Sequence, residues 1–116
     1  MSNETIFDKI INKEIPADIL YEDEISLAFK DIAPQAPFHC LIIPKKRIAT
    51  INDIQAEDRE VVGHLYTVAA KLAAEHGFAE DGYRVLMNCN KHAGQVVFHI
   101  HLHMLAGKPL GPIVSQ

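Results

Sequence analysis

The sequence predicts an α+β fold: a five-stranded antiparallel sheet with one short N-terminal helix and one long central helix. Three observations carry this expectation. Short apolar runs of period two recur along the chain and are separated by tight turns, as in strands joined by hairpins. A single stretch, from roughly Asn52 to His76, repeats its apolar residues at helical spacing. The third is Gly94-Gln95-Val96-Val97-Phe98-His99-Ile100-His101-Leu102-His103-Met104-Leu105, in which three histidines alternate with apolar residues.

That last stretch holds the chemistry. Residues two apart point away from each other on a helix but share a face on a strand. His99, His101 and His103 are therefore expected on one face, their bases stepped by roughly 6–7 Å. Phe98, Ile100, Leu102 and Met104 fall on the other face and are expected to enter the core. The chain has only seven histidines, and imidazole is a poor choice for a merely solvated sheet face. A metal ion needs nitrogens about 2.0–2.1 Å away. His99 and His103 stand roughly 13 Å apart at their bases, so a metal would need two of the three and help from elsewhere. Nucleophilic or acid–base catalysis has no such limit, since neutral imidazole is nucleophilic near neutral pH. His101, flanked by two partners, is the natural nucleophile. Gly94 lacks a Cβ and lets an anion approach the backbone, which favours phosphoryl chemistry.

Composition sets the frame. A chain of 116 residues with 48% hydrophobic content suits one domain over positions 1–116, with a loose start at 1–4 and a tail over 107–116. A net charge of −4 supplies no field for a nucleic-acid backbone. No apolar run is long enough to span a membrane, and the N-terminus has no signal-peptide layout, so a cytoplasmic location is expected. Cys40 and Cys89 read as unpaired thiols of such a protein.

In chain order, Thr5 and Asp8 form a capping box that starts the first helix, with Ile6, Phe7, Ile10 and Ile11 as its apolar face. Ile19 to Glu22 and Ile25 to Asp31 read as two strands around Asp23-Glu24. Asp31 ends the second, before a proline-rich loop, and serves either as a turn residue or as an acceptor for a ribose diol. Phe38 to Ile43 is the third strand, with His39, Leu41 and Ile43 on one face. Lys45-Lys46-Arg47 reads as a solvated basic run. In the long helix, Glu57, Asp58 and Glu60 suit the N-terminal end and Gly77 the stop. Close helix contact, across a dimer interface, would explain Gly63 within it. Tyr83 to Asn88 is the fourth strand, and it forms a hairpin with the histidine strand that places Asn88 beside the histidine face. No repeat or linker divides the chain.

His99-Ile100-His101-Leu102-His103-Met104-Leu105 resembles the signature of the histidine triad (HIT) superfamily: three alternating histidines, then two apolar residues. Ile6-Phe7-Asp8-Lys9-Ile10-Ile11, Glu14-Ile15-Pro16, Ala28-Phe29-Lys30-Asp31-Ile32, Pro34-Gln35-Ala36-Pro37, His39, Ile43-Pro44-Lys45 and Tyr83-Arg84 resemble its Hint branch. The resemblance runs from about Ile6 to Pro112. It implies a purine nucleoside phosphoramidase that acts on adenosine or guanosine 5′-phosphoramidates, and on aminoacyl-adenylates, through a nucleotidyl-histidine intermediate, releasing AMP or GMP. It implies no metal and no cofactor, and a homodimer. His101 would be the nucleophile, His99 and His103 phosphate and leaving-group contacts, and His39 a proton relay. Phe7, Ile10, Ile15, Phe29 and Leu41 would wall the base, with Asp31 on the ribose and Ile32 beside it. Asn88, Gly94, Gln95 and Val96 would surround the phosphate, and Gln95 would help to hold its charge. The chain departs from the pattern of animal Hint members at Val96, where they usually carry a serine, and from the common pattern at Ala93 and Phe38. Rival readings are a dinucleoside polyphosphate hydrolase, a purine-nucleotide-binding adaptor with vestigial catalysis, and a zinc-binding protein.

Overall fold

The computed structural model describes residues 4–114. Positions 1–3 of the expected loose start, and the last two of the tail, lie outside the described residues. In order the elements are α1 (Ile6–Ile11), β1 (Ile19–Glu22), β2 (Ser26–Lys30), β3 (Phe38–Pro44), α2 (Arg59–His76), β4 (Tyr83–Leu86), α3 (Asn90–Ala93) and β5 (Leu102–Ala106). The five strands form one sheet in the order β1-β2-β3-β5-β4, with every neighbouring pair antiparallel.

The capping box forms as the sequence implies. Thr5 Oγ1 accepts from the Asp8 amide at 3.4 Å, and Asp8 Oδ2 accepts from the Thr5 amide at 2.8 Å. The long helix begins not at Asn52 but at Arg59, because two 3₁₀ turns precede it. Each of these turns has its own polar clasp: Asp53 accepts from the Thr50 amide, and Asp58 from the Gln55 amide. Gly77 closes α2 with φ +82°, a left-handed cap.

The two faces of the sheet bury different things. Ala28, Cys40, Ile42, Leu102 and Met104 point to one side, where Leu65, Val68, Ala69, Leu72 and Ala73 of α2 cover them. Leu27, Phe29, Leu41 and Ile43 point to the other and meet Phe7 and Ile10 of α1. In the β3–β5 register Leu41 pairs with His103 and His39 with Leu105, so both imidazoles share the α1 side.

The histidine segment is less regular than its alternation suggests. β5 begins only at Leu102, so His99 and His101 lie in the approach to the strand, and α3 occupies the loop expected to be a simple turn. The Gln95 side chain explains this. Its Oε1 accepts from the Asn90 amide at 2.9 Å, and its Nε2 donates to the carbonyls of Ala49 at 2.8 Å and Val97 at 3.0 Å. The Ile100 amide donates to the Ile48 carbonyl at 2.8 Å, so this backbone pairs with the loop after β3. Ile100, Leu102 and Met104 are buried as expected. Phe98 is not: it is 46% exposed, because the segment bends there.

Lys45-Lys46-Arg47 is not a free basic run. Lys45 pairs with Glu22, Lys46 with Asp58, and Arg47 with Asp8. The segment thereby clamps β1, the start of α2 and α1 around the end of β3. Cys40 and Cys89 are both free thiols.

Candidate active site

Each imidazole is oriented by a group whose proton chemistry is known, so the tautomers follow. His101 Nδ1 lies 2.8 Å from the carbonyl oxygen of His99. A carbonyl only accepts, so Nδ1 carries the proton and Nε2 presents its lone pair. His39 Nδ1 accepts from the Gln35 amide at 3.1 Å, which puts the His39 proton on Nε2. That N–H donates to His103 Nδ1 at 2.9 Å, leaving His103 protonated at Nε2. His99 Nε2 donates to the Pro44 carbonyl at 2.7 Å. The arrangement is one bare nitrogen on His101 beside one donor on His103, with the two rings 5.0 Å apart.

Burial keeps the set neutral. It lowers the pKa of His101, partly opposed by the bond to the His99 carbonyl and by Asp31. His103 is pushed down to about 4, first by burial and then by His101 and His39. His39 and His99 are lowered for the same leading reason. Near neutral pH the His101 ring is therefore neutral, with its Nε2 lone pair free.

Asp31 Oδ2, His39 Nε2 and His103 Nδ1 lie within 4.8 Å of one another, a spacing that a metal ion can use. The tautomers argue against such a site. With the Gln35 amide on its Nδ1, His39 cannot offer a Nε2 lone pair without becoming an imidazolate. The same bond bears on the relay expected of His39. It donates its Nε2 proton to His103 as a hydrogen bond, and losing that proton while the Gln35 bond persists would leave an imidazolate.

The other sequence-predicted residues divide. Phe7, Ile10, Phe29 and Leu41 form a buried apolar cluster, and Ile15 packs on its edge. The Phe7 ring meets the rings of both His101 and His99 edge-on, at 5.0 and 5.7 Å. Asp31 ends up beside His39, with Oδ2 3.4 Å from His39 Nε2 and Oδ1 accepting from the Ala33 amide. Asn88 is half-buried just past Leu86, the β4 partner of His103. Gly94 adopts φ +83° as the left-handed cap of α3, a backbone need rather than a steric one, since a Cβ there would meet open space. Ile32 and Val96 are exposed, at 99% and 84%.

Two expectations change. The Gln95 amide is fully engaged in holding its own loop, so its side chain has no donor left for an anion. His99 is completely buried with Nε2 given to Pro44, so neither nitrogen reaches a phosphate from this position. Sequence reasoning missed four contributors: the Pro44 carbonyl, the Gln35 amide, Asp8 and Arg47. The two backbone groups leave no side-chain signature. Asp8 and Arg47 were visible as charges, but nothing local tied them to the histidines.

Residues 12–110 match the HIT domain model. The chain belongs to the histidine triad family. It is 56% identical to the purine nucleoside phosphoramidase of Escherichia coli strain K12 over 116 residues, covering 100% of this chain and 98% of that protein. Among solved structures, a HIT family hydrolase from Legionella pneumophila is 50% identical, with a TM-score of 0.91 over 93% of this chain and 96% of its own. A HIT family hydrolase from Clostridium thermocellum is 43% identical, with a TM-score of 0.93 over 99% of this chain and 100% of its own. The five-stranded antiparallel sheet with its long helix is thus the histidine triad fold.

Proposed function

We propose that this histidine triad protein is a purine nucleoside phosphoramidase, a hydrolase that cleaves the P–N bond of adenosine or guanosine 5′-phosphoramidates. The observation that carries the reading is the His101 tautomer: a proton held on Nδ1 by the His99 carbonyl, and a bare Nε2 in a largely buried site. The 56% identity over the whole chain to a protein named for this activity supports it.

His101 Nε2 attacks the α-phosphorus, the P–N bond breaks and the amine departs, leaving a nucleotidyl-histidine. The attacking ring becomes cationic, and the Nδ1–H bond to the His99 carbonyl steadies that charge. Water then attacks phosphorus, AMP or GMP leaves, and Nε2 regains its lone pair. His103, protonated at Nε2, is assigned to the phosphoryl oxygens or the departing amine. Phe7, Ile10, Ile15, Phe29 and Leu41 are assigned to the base, Asp31 and Ile32 to the ribose, and Asn88 with the backbone at Gly94-Gln95-Val96 to the phosphate. The substrate class extends to aminoacyl-adenylates, with no metal or cofactor in any step. Two copies are proposed to pair, since β4 is an edge strand whose free side can take a partner. A cytoplasmic location goes with this reading, and among the described residues no helix is long and apolar enough to cross a membrane.

Release of AMP from adenosine 5′-phosphoramidate by the purified protein tests the reading. Turnover supports it. Tight AMP binding without turnover would instead favour a nucleotide-binding module, and preference for a dinucleoside polyphosphate would favour the sister activity.

A further inference from the structure

His99 holds the one buried side-chain nitrogen or oxygen without a hydrogen-bond partner among the described residues, its Nδ1. The ring is fully buried, and Nε2 is committed to Pro44, so the Nδ1 lone pair has nowhere else to turn. What faces it is Asp8 Oδ1, at 3.9 Å. Two acceptors set opposite each other, one of them fully buried, lack a proton between them. The other carboxylate oxygen of Asp8 is already used: Oδ2 accepts from the Thr5 amide at 2.8 Å and from Arg47 Nη1 at 3.2 Å. Asp8 is thus held in place by one oxygen and aimed at His99 with the other.

We propose that Asp8 is a positioning residue of the triad, acting on the nucleophile through His99. Its Oδ1 accepts a proton carried by His99 Nδ1, and the closed contact holds the His99 carbonyl against His101. The proton comes from solvent and turns the imidazole into an imidazolium only below the usual imidazole range, because burial opposes the charge; no other bond changes. The charged groups facing His99 are Asp8 from α1, Arg47 from the loop after β3, and His101 from its own segment. Asp8 favours the proton, whereas Arg47 and His101 oppose it. The same carboxylate also anchors α1 beside Phe7, whose ring touches both His99 and His101. Helix docking and nucleophile alignment therefore share one residue. This inference rests on the phosphoramidase reading for its catalytic consequence but not for the Asp8–His99 contact itself.

The test combines imidazole ¹⁵N NMR titration of the full chain with steady-state hydrolysis of adenosine 5′-phosphoramidate, in wild type, Asp8→Asn, Arg47→Gln and Thr5→Ala. Asp8→Asn should lower the His99 protonation midpoint by roughly one pH unit, and Arg47→Gln should raise it. At a pH below the wild-type His99 midpoint, Asp8→Asn should also lower kcat by roughly tenfold with KM unchanged, less than the hundredfold that misplacement by a full ångström costs. Thr5→Ala removes the other half of the capping box, so it should reduce thermal stability while leaving the midpoint in place. An unchanged His99 midpoint in Asp8→Asn would overturn the proposal, as would an equal kcat loss in Thr5→Ala. A shifted midpoint in a protein that shows no turnover even as wild type would uphold the contact and sink the phosphoramidase reading instead.

Discussion

The two faces of the one sheet obey the same alternation and are held by different physics. On the α2 side, Cys40, Ile42, Leu102 and Met104 meet Leu65, Val68 and Leu72, a cluster of apolar chains and one thiol. That face is a matter of volume and close packing. On the α1 side the apolar cluster of Phe7, Leu27, Phe29 and Leu41 gives way to His39, His99, His101 and His103, and three of these four rings are held at one nitrogen by a backbone group. The lesson is that period two distributes residues between the faces but does not say what will orient them. Packing is tolerant of shape and intolerant of voids, whereas the imidazole array tolerates neither a lost carbonyl nor a shifted amide.

The comparison breaks most clearly at His101. His101→Ala should lower kcat by at least ~10³-fold, measured as AMP release, while the thermal midpoint stays within a few degrees of wild type. Leu72→Ala, on the opposite face and fully buried, should do the reverse. It should cost about 2–5 kcal/mol in denaturant unfolding, with the pH profile of the remaining activity unchanged. Gly107→Ala probes how the imidazole side depends on backbone. Gly107 has φ +104°, and a Cβ there would stand 2.8 Å from that of Pro37. Pro37 belongs to the loop whose Gln35 amide sets the His39 tautomer. The substitution should therefore cost about 1–3 kcal/mol and also lower kcat, both absent from a neutral surface variant.

The smallest effect concerns acid. His39, His99, His101 and His103 all have pKa values lowered in the fold, from an ordinary 6.5 to about 4 for His103. The unfolded chain then binds protons that the folded chain refuses. Stability should be greatest above pH 6.5 and should fall as the pH drops through 6.5 towards 4. His103→Gln should make that slope shallower, read as the thermal midpoint at successive pH values. The acid limb of kcat/KM should likewise lie below 6.5, because the nucleophilic form of His101 persists to lower pH.

Much of this was legible in the sequence. Thr5 and Asp8 announced the first helix, Gly77 closed the second, and the alternation around His39 and His103 put both imidazoles on one face. What escaped it was non-local. The triad stretch reads as strand from Gly94 onward, yet Gln95 ties it to Ala49, and Ile100 pairs with Ile48, so the ladder starts only at Leu102. The early start expected for the long helix failed because Asp53 and Asp58, good residues for a helix N-terminus, each cap a 3₁₀ turn of their own. Asp8 read as half of a capping box and nothing more. Its second oxygen matters only because the fold buries His99 against it.

The proposed reaction depends above all on His101 Nε2 attacking phosphorus. The most direct measurement is the intact mass of protein quenched into base within one turnover of adenosine 5′-phosphoramidate, followed by peptide mapping. One adenylyl group is expected on the peptide that contains His101, and none in His101→Ala. Turnover with no adduct, or an adduct on a different residue, would contradict it.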